Sequence, residues 1–92
     1  MTHIETYQLA EGNGDLRDVF AKKIGPVGGD IVYLGETSKK EHIYYTNNVT
    51  VFVGNSYASF IGSSHEERRK VRETLEQRLS IKLKEFKSDS SR

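Results

Sequence analysis

The run His42-Ile43-Tyr44-Tyr45-Thr46-Asn47-Asn48-Val49-Thr50-Val51-Phe52-Val53 holds two segments rich in branched and aromatic residues, separated by a pair of asparagines. Such side chains pack well on a pleated surface, and asparagine tolerates the positive φ angles of a two-residue hairpin turn. A turn of that length fixes the register, placing Tyr44 opposite Val51 and Ile43 opposite Phe52. Because side chains alternate along a strand, those two pairs fall on opposite faces. One face then holds Tyr44, Val49, Val51 and Val53, and the other Ile43, Tyr45 and Phe52. Both faces of this hairpin are apolar.

Working outward, Gly54-Asn55 offers a second positive-φ turn before Tyr57-Ala58-Ser59-Phe60-Ile61, and Ile31-Val32-Tyr33-Leu34 precedes the hairpin across an exposed loop, Glu36 to Lys40. Residues 30–62 therefore read as an antiparallel meander. His3 to Leu9 is a further short strand, closed by Glu11-Gly12-Asn13-Gly14. Asp15 can cap a helix whose apolar residues Leu16, Val19, Phe20 and Ile24 recur at helical spacing, and Gly25-Pro26 stops it. Ser64-His65-Glu66-Glu67 has capping-box spacing. After it, Val71, Leu75, Leu79, Leu83 and Phe86 lie within roughly 120° on a helical wheel. The expectation is one helix running to about Phe86, although Leu79, Ile81 and Leu83 also alternate as an edge strand would. The predicted architecture is a single α+β domain over 1–87, with 88–92 a disordered polar tail. It has a four- to five-stranded antiparallel meander sheet with two helices packed on one face, in the order β-α-β-β-β-β-α.

A chain of 92 residues has room for one core. Fourteen Lys and Arg against thirteen Asp and Glu leave a net charge of +1, so no global field draws the protein to DNA or an anionic membrane. The lack of cysteine excludes disulfides, thiol nucleophiles and zinc-thiolate sites, which leads to the expectation of a cytoplasmic protein. Met1 to Thr6 has no charged segment leading into an apolar run, and no stretch approaches the ~18 apolar residues of a spanning helix. No membrane association is expected.

His3, His42 and His65 fall on three separate elements, none with a second ligand at metal-binding spacing, so no metal site is expected. Glu41-His42 with Tyr44 and Tyr45 cannot converge as an acid/base cluster, because alternation sends strand neighbours to opposite faces. Gly12-Asn13-Gly14 precedes a helix, where backbone amides can bind phosphate, but Glu11 and Asp15 surround that point with negative charge. No catalytic residue and no cofactor emerges from the sequence.

Two binding surfaces do emerge. Two helices can cover only one sheet face, so Ile43, Tyr45, Phe52 and Tyr57 are the expected contact residues of an apolar face open to a protein partner or to a second copy in a homodimer. The alternative is a nucleic-acid-binding surface of Arg68, Arg69, Lys70 and Arg72 with Lys39 and Lys40. A meander followed by a helix resembles the element order of a double-stranded-RNA-binding domain. His65-Glu66-Glu67 stands here where such domains carry lysines. The four helix cations spread over roughly 200° of the wheel, with Glu66, Glu73 and Glu76 spaced to pair with them. The reading that follows is a small non-enzymatic interaction protein, a regulator, adaptor or inhibitor.

Overall fold

A computed structural model describes residues 3–10, 14–24 and 30–85. The elements are β1 (His3–Leu9), α1 (Leu16–Ile24), β2 (Val32–Glu36), β3 (His42–Thr46), β4 (Val49–Val53), β5 (Tyr57–Gly62), α2 (His65–Leu79) and β6 (Leu83–Glu85). They form a six-stranded antiparallel sheet in the order β2-β3-β4-β5-β1-β6, an α+β architecture. The meander is present with β1 beside β5, and β6, paired to the far side of β1, makes the sheet one strand wider than the predicted four to five. The predicted tail at 88–92, the start of the turn at 11–13 and Gly25-Pro26 lie outside the described residues.

The β3–β4 hairpin has the expected register. Asn47 and Asn48 take φ of 49° and 64°, and Tyr44 pairs with Val51 and Ile43 with Phe52. On the helix-covered face Tyr44, Val49, Val51, Val53, Ala58 and Phe60 are buried together with Leu16, Phe20 and Ile24 of α1 and Val71, Leu75 and Leu79 of α2. The Phe20 and Tyr44 rings meet at 5.3 Å, which anchors α1 on β3. Asp15 caps α1 as read, its Oδ1 accepting from the Arg17 amide at 2.9 Å.

Three local readings are corrected. The β4–β5 turn does not use a positive φ at Gly54 or Asn55: among the described residues the positive angles fall at Gly14, Gly35, Lys40, Asn47, Asn48 and Ser80. Gly54 instead closes the turn, donating its amide to the Tyr57 carbonyl at 2.9 Å, and it is glycine because the Tyr57 ring lies over it. A Cβ there would stand 2.3 Å from Tyr57 Cε1. The Asn55 carbonyl meanwhile accepts from the Leu16 amide at 2.9 Å, so contact with α1 shapes this turn.

The second correction concerns the capping box, of which only half forms between the expected partners. Ser64 Oγ accepts from the Glu67 amide at 3.2 Å, while the Glu67 carboxylate accepts from Asn48 Nδ2 at 3.3 Å and ties α2 to the hairpin turn.

The third concerns the long helix, which ends at Leu79 rather than near Phe86. Ser80 takes the left-handed conformation (φ 58°, ψ 45°), its amide bonds to Gln77 O and the Ile81 amide to Glu76 O, which is a Schellman stop. The chain then returns as β6, with Leu83 opposite Leu9 and its amide held by Glu76 Oε2 at 2.9 Å. The alternation of Leu79, Ile81 and Leu83 was therefore the governing pattern.

Candidate interaction face

Both helices lie on one side of the sheet, and among the described residues no element covers the other. Alternation along the paired strands places Ile4, Thr6 and Gln8 of β1, Val32 of β2, Ile43 and Tyr45 of β3, Thr50 and Phe52 of β4, and Tyr57, Ser59 and Ile61 of β5 on this open side. None is charged. Lys84, opposite Gln8 on the short edge strand β6, brings the first charge at one margin, and Glu41 stands at another.

The apolar groups are accessible to different degrees: Ile4 is 65% exposed, Val32 49% and Tyr45 40%, whereas Ile43, Phe52 and Ile61 shield one another and are half-buried. The bulge in β2 between Tyr33 and Gly35 adds Leu34, 57% exposed, to the same edge of the sheet.

Four of the hydroxyl groups on this side, those of Thr6, Ser59, Tyr45 and Tyr57, already have partners within the chain. Thr6 Oγ1 and Ser59 Oγ share a hydrogen bond of 3.1 Å, and the Tyr45 hydroxyl donates to Asn48 Oδ1 at 3.3 Å. The Tyr57 hydroxyl donates to Glu41, and that bond, followed by burial, pushes the phenol above its ordinary range. Covering such a face removes little unsatisfied hydrogen-bonding capacity from water, so its desolvation cost is low. Thr6, Gln8, Ser56, Tyr57 and Ser59 line a shallow recess of about 300 Å³ at its polar end. Ile43, Tyr45, Phe52 and Tyr57 thus share one side, joined by Ile4, Val32, Thr50 and Ile61. The sequence reading missed Ile4 and Val32 because the positions of β1 and β2 in the sheet depend on strand order, which no local pattern encodes, and Ile61 because the register of β5 was not fixed by its turn; Thr50 follows from the hairpin register but is not apolar.

The basic residues are not brought together in the same way. Arg68, on α2, is buried between that helix and the sheet: its Nη1 donates to the Gly62 carbonyl at 2.6 Å and its Nε to Glu5 Oε2 at 3.0 Å. His65 Nδ1 lies 2.9 Å from the same carboxylate oxygen, and the Tyr7 hydroxyl donates to Glu5 Oε1 at 3.1 Å. Burial opposes the charged form of Glu5, but the hydrogen bonds from His65 and Arg68 outweigh it and hold the carboxyl below its usual range. Arg72 sits with its guanidinium carbon 4.8 Å from the centre of the Tyr7 ring and Nη1 3.6 Å from Glu76 Oε1.

Arg68 and Arg72 are therefore structural members of a charged seam between α2 and β1. Arg69, paired at 4.0 Å with Glu66, together with Lys70, Lys39 and Lys40, is exposed. The signal that could have revealed this seam is Glu5 itself, which alternation puts on the helix side of β1 with Tyr7 and Leu9, where a carboxylate requires a cation. Among the described residues no group of His, Asp and Glu is placed to hold a metal ion, and no helix is long and apolar enough to cross a membrane.

Among the described residues the structure defines a two-layer α+β domain with one helical layer and one sheet face that no element covers and that carries charge only at its margins. No family model, curated protein or solved structure matches this chain.

Proposed function

We propose that this chain is a non-enzymatic interaction module, a regulator, adaptor or inhibitor, that docks on a protein partner through the open sheet face. The observation that supports this reading is the continuous uncharged surface from Val32 and Tyr45 through Phe52 and Ile61 to Ile4, with most of its hydroxyl groups bonded within the chain. A surface of this kind loses apolar area to a partner at roughly 25 cal/mol per Å² and pays little for its polar groups. The helical face offers no equivalent, because its apolar stripe already packs on the sheet.

The test is the fluorescence of a hydrophobic dye such as anilinonaphthalene sulfonate with the folded protein at about 1 µM, a dilution that favours the free chain. The wild-type chain is expected to enhance the dye while unfolding cooperatively, which separates a native patch from a molten globule. Ile43→Lys and Phe52→Lys are expected to abolish most of that enhancement with unchanged far-UV dichroism. A folded chain that binds no dye would remove this reading. Fluorescence anisotropy of labelled RNA and duplex DNA at about 50 and 200 mM salt completes the experiment. Salt-sensitive binding lost on changing Lys39, Lys40, Arg69 and Lys70 to Glu would assign the protein to nucleic acid instead.

A further inference from the structure

We infer that the occupant of the open face is a second copy of this chain, two sheets packed face to face about a two-fold axis. This rests on the docking reading above and specifies its partner. Three observations carry it: the width of the face, its charge and the state of its polar groups.

The strands stand ~4.8 Å apart and rise ~3.3 Å per residue, so six of them about five residues long present a surface roughly 24 by 17 Å. An α-helix, about 10 Å across with its side chains, would leave more than half of that width in water. Another sheet covers all of it, and sheets stack at ~10 Å with their twist matched at about −30°. The total area removed, on the order of 800–1,000 Å², lies at the low end for a specific interface, the range of weak and reversible association.

Charge then separates self-association from association with an unrelated sheet. A two-fold interface sets each patch against its own copy, so any cluster of one sign would repel itself. From β2 to β1 the strands of this face carry no charged side chain, and the charges at its margins, Lys84 and Glu41, are single and of opposite sign, so neither forms such a cluster. Its hydroxyls at Thr6, Ser59, Tyr45 and Tyr57 are bonded within the chain, and the Thr50 hydroxyl, which can both donate and accept, can pair with its own copy across a two-fold axis. Thr50, opposite Tyr45 on one side and Ile61 on the other, lies near the middle of the face, close to its own copy for any axis through that point.

The experiment is sedimentation equilibrium of the full chain from ~1 to ~500 µM, alongside Thr50→Lys and Thr50→Glu. Thr50 is half-exposed on a strand, so either long side chain is accommodated without entering the core. The expected result is a wild-type mass rising from one chain toward two, each variant alone remaining a monomer with unchanged dichroism, and an equal mixture of the two recovering the dimer. A wild-type chain that stays monomeric throughout would overturn self-docking, as would a dimer indifferent to both single substitutions. Dye binding by such a monomer would leave the docking reading standing with a different partner; a monomer without dye binding would end both.

Discussion

Glu5 stands on the helix side of β1, where a carboxylate needs compensation, and Arg68 and His65 supply it from α2. Because the folded carboxyl titrates below its ordinary value of 4.5, the stabilisation is fully present above that value and is lost as pH falls through the lower, folded one. Glu5→Gln is expected to cost on the order of 1–3 kcal/mol at pH 7, most of it the penalty of leaving the Arg68 guanidinium buried without its counter-charge. The variant should also lose part of the acid sensitivity below pH ~4.5. Urea titrations of both proteins at pH 7 and pH 3 check this, and equal acid sensitivity in the two would refute it. Gly54 makes a second residue-scale prediction. Gly54→Ala must displace the Tyr57 ring from its place over the turn, at a cost of about 1–3 kcal/mol. In a Tyr57→Ala background the obstructing ring is gone, so the same substitution should be nearly neutral, and a double-mutant cycle reads the difference.

At the scale of elements, α2 ends where Ser80 adopts a left-handed conformation that costs a side-chain-bearing residue about 1 kcal/mol. Ser80→Gly should therefore stabilise the domain by ~0.5–1 kcal/mol, and Ser80→Val destabilise it by about 1–2 kcal/mol. Chemical denaturation of the pair gives both signs; a destabilising glycine would mean that the Ser80 side chain, not its backbone, holds the stop. The same residue shows why the end of the helix was hard to read. Glycine or asparagine would have announced it, whereas serine did not, and Glu76 fixes the turn through the Leu83 amide seven residues away. The β3–β4 hairpin was legible for the converse reason: Asn47 and Asn48 carry the turn chemistry in their own side chains, and the two-residue turn dictates the register. From that register alone followed the division of Ile43, Tyr45 and Phe52 from Tyr44, Val49, Val51 and Val53. The pairing of Arg68 with Glu5 spans 63 residues and depends on β1 lying beside β5, so local charge spacing on α2 pointed to Glu66, Glu73 and Glu76 instead.

For the whole molecule, the two faces of one sheet have different duties, and two phenylalanines on neighbouring strands separate them. Phe60 on β5 is fully buried beneath the helices, its ring edge-on to Tyr7 at 5.6 Å, while Phe52 on β4 is half-buried on the open side. Phe60→Ala leaves a cavity in a closed core and is expected to cost about 3–5 kcal/mol, a large part of the ~5–15 kcal/mol that holds a domain of this kind together. Phe52→Ala removes contacts from a surface still in water and should cost no more than ~1–2 kcal/mol when unfolding is followed at about 1 µM. Concentration then distinguishes their roles. Self-docking links folding to association, so wild-type stability should rise between about 1 and 500 µM, and the Phe52→Ala chain should fail to follow because its loss weakens the face that associates. Phe60→Ala should keep the concentration dependence while lowering the baseline. Equal costs for the two substitutions at low concentration would show that the open face is already covered within the single chain, and the division of labour between the two sides of the sheet would fall with it.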